Sequence, residues 1–229
     1  MVIPIYDMDP LEGKSVPYVT YGLIAANVVV FLLLLTAAPH TEATVVRNFG
    51  FIPVAFFNDP SGHAYTLVTY AFLHGGWEHI IGNMLFLWIF GDNIEDAVGH
   101  LRYFGFYLIS GIAGGLVHGL IDPHSAVPLV GASGAIAGIV AGYLMLRPCA
   151  KIEVLILFII PRAFDAYWVL GFWVLMQIWE ILKHSSDGVA WWAHIGGLAA
   201  GALLIPFLRK PGVELFACVE PEERPSVTA

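Results

Sequence analysis

The chain has 229 residues, is 58% hydrophobic and only 12% charged, and has a mean hydropathy of +0.76. A soluble domain of this size cannot hide so much apolar surface, so a polytopic membrane protein is expected. A formal net charge of −8 argues against nucleic acid as a partner.

Met1 to Val16 carries one base, Lys14, among several acids, and does not read as a secretory signal. This stretch is expected to be a cytoplasmic N-terminal segment, residues 1–16. Pro17 to Thr36 is the first apolar run, and about 20 residues at 1.5 Å rise cross a hydrocarbon core of roughly 30 Å. Ala37 to Trp77 follows. It mixes Phe56, Phe57, Tyr65, Tyr70 and Phe72 with prolines, glycines and polar residues, and reads as a folded external loop in the membrane interface. Further spans are expected at about Glu78–Asp96, Leu101–Ile121, Leu129–Leu146, Ala166–Leu182 and Val189–Leu208. Val154–Ile160 is apolar but too short to cross, and is expected to be an interfacial or buried connection. The tail, residues 210–229, has four glutamates and three prolines after Lys210 and is expected to be mobile and cytoplasmic. The expected fold class is therefore all-α: a six-transmembrane-helix bundle over residues 17–209.

Six spans put both termini on one side. Lys14, Arg102, Arg147, Lys151, Arg162, Arg209, Lys210 and Arg224 fall there, against Arg47 and Lys183 on the other side. The positive-inside rule then makes the termini cytoplasmic. Cys149 and Cys218 form no metal motif and would lie on the cytoplasmic side, where thiols stay reduced.

Polar side chains within spans are costly and usually have a purpose. Three outward span ends bring such groups to a similar depth. Ser133 lies in Pro128–Tyr143, PLVGASGAIAGIVAGY, about five residues into the fourth span. His194 is about as deep in the sixth. His79 and Asn83, at i and i+4, share one face of the second, close to His74. Gly134, Gly138 and Gly142 form a bare stripe, as do His194, Gly197 and Gly201, and such stripes let backbones approach closely. If the two stripes meet, Ser133 and His194 become neighbours. A serine becomes a nucleophile when a base in hydrogen-bond reach takes its proton, and histidine suits that task near neutral pH. No acid near His194 can orient its imidazole, so the pattern reads as a dyad.

The motifs His74-Gly-Gly-Trp-Glu-His79-Ile-Ile-Gly-Asn83, Glu95-Asp-Ala-Val-Gly99, Gly131-Ala-Ser133-Gly134 and Ala193-His194-Ile-Gly-Gly197 stand in this order. With them the chain resembles the rhomboid intramembrane serine proteases, from about Val16 to Leu208. The resemblance implies Ser133 as nucleophile and His194 as base. It implies Asn83 and His79 as donors to the oxyanion, beside the Ser133 amide, with His74, Gly131, Gly134 and Gly197 supporting the site. The implied partners are single-pass transmembrane protein substrates, cut near the outer membrane boundary, and the lipid bilayer. No cofactor is implied. The chain departs from the family pattern at Tyr65-Thr66, where many members have Trp-Arg, and at Ala137, where some have an aromatic residue that packs on the histidine.

Substrate entry needs one span to move aside. The fifth is the candidate, because Phe172 and Trp173 give it bulky packing without a glycine stripe. Glu95, at the cytoplasmic end of the second span, reads as structural, held by local hydrogen bonds or by Arg102. A catalytically inactive relative that binds and sorts membrane helices is the alternative function, disfavoured because both dyad residues are present. A metal site or transporter is disfavoured because the histidines lack ligand spacing within the spans. The expected location is a bacterial-type inner membrane, with the site opening outward.

Overall fold

The computed structural model describes residues 2–8, 15–157, 159–183 and 188–218. Lys14, His184, Arg224 and the end of the tail lie outside the described residues. Ten α-helices are found among them, and three are long and apolar enough to cross a membrane. These three are α1 (Tyr18–Leu35), α7 (His100–Ile121) and α10 (Trp191–Leu208). The helix α6 (Trp77–Val98) has 22 residues but carries Asp92, Glu95 and Asp96 near its end. The helices α8 (Ser133–Leu146) and α9 (Ala166–Leu182) are apolar and shorter, 14 and 17 residues.

The helix α8 starts four residues later than the sequence suggested. Pro128 to Ala132 is not helical, because Gly131 adopts φ +122°, a conformation that L side chains rarely take. Ser133 is therefore the first residue of its helix rather than a residue within a span. Two neighbours fix the non-helical stretch: Leu129 bridges Phe51, and the Gly131 N–H donates to the Tyr70 carbonyl at 2.9 Å.

Small residues bring α7, α8 and α10 together. A Cβ at Gly197 or Gly201 would land on the Gly134 or Gly138 carbonyl, and one at Gly114 would meet the Ala193 carbonyl at 2.7 Å. The glycine stripes of α8 and α10 thus meet, as their spacing suggested. Towards the terminal side the interior fills with large rings, and Phe90, Tyr103, Phe106, Tyr107 and Tyr143 are all fully buried.

The segment expected as an external loop folds into α2 (Pro39–Phe49), α3 (Pro53–Asn58), α4 (Pro60–His63), α5 (Thr66–Thr69) and a 3₁₀ turn, Tyr70–Phe72. Hydroxyls tie this region together. Tyr65 donates to the Asn48 carbonyl at 2.8 Å and Thr69 to the Phe49 carbonyl at 2.6 Å, and so both satisfy carbonyls at the end of α2. The Tyr70 hydroxyl donates to the Gly111 carbonyl at 2.6 Å, which fixes the loop to α7.

The chain is mostly helical, as expected, but its described residues also hold a small sheet. Strands β1 (Val2–Asp7), β2 (Lys151–Ile156) and β3 (Ile160–Asp165) form an antiparallel sheet in the order β1-β2-β3. The segment expected as a short connection is the hairpin of β2 and β3. The alternation of β2 buries Ile152 and Val154 completely, so this half of the hairpin is a core strand. The N-terminal segment is its edge partner. The tail also differs from expectation as far as Cys218. The Lys210 N–H donates to the Ala97 carbonyl at 2.8 Å, and the Phe216 N–H to the Met145 carbonyl at 2.6 Å. That docking brings Cys218 to Cys149, and the two are joined as a disulfide with Cα atoms 5.0 Å apart. The reduced thiols expected from the sequence are thereby replaced by a covalent tie.

Candidate active site

The Ser133 hydroxyl and His194 Nε2 are 2.8 Å apart. Each side chain sits near the start of its helix, Ser133 at the first position of α8 and His194 one turn into α10. The close approach of these helices at Gly134 and Gly197 sets that distance. Ser133 opens α8, and the start of a helix favours negative charge beside it.

Asn83 and His79 project from α6 towards the same point. A Cβ at Gly131 would lie 2.5 Å from His79 Nε2 and 3.8 Å from Asn83 Nδ2. Both nitrogens therefore face a backbone two residues before Ser133, in space that a side chain would fill. The Asn83 amide donates to His74 Nε2 at 2.9 Å, which fixes the way its oxygen points. His74 stands in the turn before α6. Burial, and then the neighbouring His79, push its pKa down to about 4, so it is neutral at neutral pH and accepts through Nε2. The rings of His74 and His79 meet edge-on at 5.0 Å.

The His194 ring is held from three sides. Trp173 lies 5.9 Å away at 34°, and Trp191 meets it edge-on at 5.8 Å. Its Nδ1 contacts Gln177 Oε1 at 2.6 Å. The aromatic support absent at Ala137 thus comes from α9 and α10 instead. Of the two residues expected as a gate, Phe172 is 63% exposed and turns mostly outward. Trp173 carries the packing, against His194 and against Phe86 of α6 at 5.9 Å.

A cavity of about 1040 Å³ contains the site. Ser133, His194, His79 and Asn83 line it, together with Phe86 and Trp173, which pack on each other, and with His118 and Asp122. Among the described residues, no three His, Cys, Asp or Glu side chains come together as a metal site. Sequence reasoning missed Tyr70, Gln177 and Trp191. The only trace of Gln177 was an amide in the middle of an apolar helix.

Known proteins resemble this chain over the same region. The model of the Rhomboid domain matches residues 61–211, which hold all four motifs. Rhomboid-like protein 11, chloroplastic, of Arabidopsis thaliana is 38% identical over 44% of this chain and 38% of its own length. RHOMBOID-like protein 12, mitochondrial, of the same plant is 29% identical over 87% of this chain and 61% of its own. Rhomboid protease GluP of Bacillus subtilis is 33% identical over 56% of this chain and 24% of its own. The chain thus spans between 24% and 61% of the length of these relatives. The chloroplastic and mitochondrial relatives do not support the bacterial-type inner membrane expected from the sequence. With three helices fit to cross a bilayer and a matched domain that covers Ser133 and His194 alike, this integral membrane protein belongs to the rhomboid family.

Proposed function

We propose that the chain is a six-span intramembrane serine endopeptidase, with α6, α8 and α9 crossing the bilayer beside α1, α7 and α10. The observation that carries this reading is the 2.8 Å contact between the Ser133 hydroxyl and His194 Nε2 at the floor of a cavity. As His194 takes the proton, Ser133 Oγ attacks the scissile carbonyl. The carbonyl oxygen becomes negative beside Asn83 Nδ2, His79 Nε2 and the Ser133 amide, which stabilise it without reorganising. His194 then protonates the leaving amine, and water releases the acyl group from Ser133 by the reverse path. The name of the Bacillus subtilis relative, a rhomboid protease, agrees with this chemistry.

The substrates are single-pass membrane proteins cut near the outer membrane boundary. A membrane helix hides its carbonyls in its own hydrogen bonds, so it must unwind before attack, and small or helix-breaking residues at the cut favour cleavage. The excess of basic residues on the terminal side makes the termini cytoplasmic and opens the site to the opposite face. The test is labelling of purified protein with a fluorophosphonate, together with hydrolysis of a model membrane substrate. Wild type is labelled and active, whereas Ser133→Ala and His194→Ala are neither, and a strong chelator changes nothing. Substrate capture without cleavage by wild type would instead favour an inactive membrane-helix binder.

A further inference from the structure

Within α9, Gln177 is 3% exposed while its neighbours Leu175 and Ile178 face outward. A buried amide left without partners costs several kcal/mol by order of magnitude, so both of its ends need partners. Both have them. Nε2 donates to the Trp173 carbonyl, one turn back, at 3.0 Å. Oε1 lies 2.6 Å from His194 Nδ1. A carbonyl only accepts, so the NH₂ end must face Trp173 and the oxygen must face the imidazole. That oxygen also only accepts, so Nδ1 must carry the proton. The lone pair of the neutral ring is then on Nε2, 2.8 Å from the Ser133 hydroxyl.

We infer that Gln177 is a positioning residue that fixes His194 in the tautomer able to accept the Ser133 proton. The inference rests on the protease reading above. Its effect is geometric: a neutral amide fixes the ring and its tautomer, and adds less stabilisation to the imidazolium than a carboxylate would. Since Trp173 supplies both the carbonyl that orients Gln177 and a ring against His194, one turn of α9 sets the base from two directions. A displacement of α9 that frees the cavity would also release His194.

The test combines kinetics with histidine ¹⁵N NMR on the full chain in detergent. His194→Ala identifies the His194 resonances. Wild type is expected to show the Nδ1–H tautomer, and Gln177→Leu a shift towards Nε2–H. With a model membrane substrate, Gln177→Leu should lower kcat about 10–100-fold with little change in KM, a smaller loss than for a charged orienting group. Gln177→Glu keeps the acceptor for Nδ1 but loses the donor to the Trp173 carbonyl, so it should restore part of the rate. Its carboxylate favours the imidazolium, so the acidic limb of the pH–rate profile should move to higher pH. The other titratable groups that line the cavity, Glu78, His79, His118 and Asp122, are the same in both proteins, so that movement reports on position 177. An Nε2–H tautomer in wild type, an unchanged kcat in Gln177→Leu or an unmoved limb in Gln177→Glu would each overturn the inference. If Gln177→Leu does not fold, the pH limb of Gln177→Glu decides. A tautomer that shifts as expected in a protein without Ser133-dependent hydrolysis would sink the protease reading and leave the hold of Gln177 on the ring intact.

Discussion

The carboxylate of Glu95, at the end of α6, caps the first turn of α1 through Thr20, 75 residues away. It accepts from the Thr20 N–H at 2.8 Å, the Thr20 hydroxyl at 2.7 Å and the Val19 N–H at 2.9 Å, and it pairs with His100 at 2.5 Å. A negative charge is unfavourable at the end of its own helix, but here it lies at the positive start of an antiparallel neighbour. Arg102, the partner considered from the sequence, instead donates to the Leu208 carbonyl at 3.3 Å.

Loss of this cap should cost stability rather than chemistry. Glu95→Ala leaves the buried Thr20 amide without its acceptor, a penalty of about 2–4 kcal/mol. Glu95→Gln keeps an acceptor and should cost less. Thermal unfolding in detergent reads both, and an unchanged melting temperature in Glu95→Ala would remove the cap from the account.

Asn83→Ala should lower turnover far more than it weakens apparent substrate affinity, and His79→Ala likewise. Removal of one oxyanion donor costs about 10²–10³-fold in a serine protease, and three donors sharing the charge put each loss at the low end or below. Fluorophosphonate labelling of Ser133 should weaken without vanishing. Turnover and melting temperature measured on one Asn83→Ala preparation separate catalysis from helix packing: normal turnover with a lowered melting temperature would make Asn83 a structural residue only.

The contact between Phe86 and Trp173 is where α6 and α9 close the cavity. Phe86→Ala should raise turnover of membrane substrates, because it opens that side without touching His194. Trp173→Ala should reduce labelling of Ser133, because the imidazole loses a supporting ring. Phe172→Ala, on the outer surface, should change neither. A cross-link between α6 and α9 at this level should slow membrane substrates and spare the small fluorophosphonate. Equal slowing of both would move the entrance elsewhere.

His74 gives the fold an acid limit. Its pKa in the folded protein, about 4, lies below the ordinary value of about 6.5. The unfolded chain thus binds more protons between these values, and stability must fall as pH drops through that window. The group contributes fully above about pH 6.5, and the loss by pH 4 is on the order of 2–3 kcal/mol. His74→Gln should flatten the melting temperature between pH 6.5 and 4. An equally steep profile in the variant would assign the acid sensitivity to other groups.

The three apolar helices α1, α7 and α10 and the meeting of Ser133 with His194 were legible because each rests on local pattern. Apolar length marks a span, and two bare stripes, Gly134 to Gly142 and Gly197 to Gly201, can satisfy their close approach only against a partner as small as themselves. The sheet was not legible. Val2–Asp7 pairs with a strand some 150 residues later, and a six-residue strand in a hydrophobic chain carries no mark of its register. Gln177 escaped for a different reason. Its partner is 17 residues away on the next helix, and only the rotation of α9 about its axis decides whether an amide faces lipid or His194. The same holds for Glu95, whose meaning depends on where α1 begins.

The tie between Cys149 and Cys218 closes a covalent ring that contains the hairpin, α9 and α10, but not α8. His194 and the side chains that hold its ring are inside the covalent ring, and Ser133 is outside it. A single break in the backbone anywhere between the two cysteines therefore yields fragments that remain one molecule until a reductant is added. Such a nicked chain would run as one band on a non-reducing gel and as two on a reducing one. The half that bears His194 would stay tethered within reach of Ser133 even after its main-chain link to α8 had been cut.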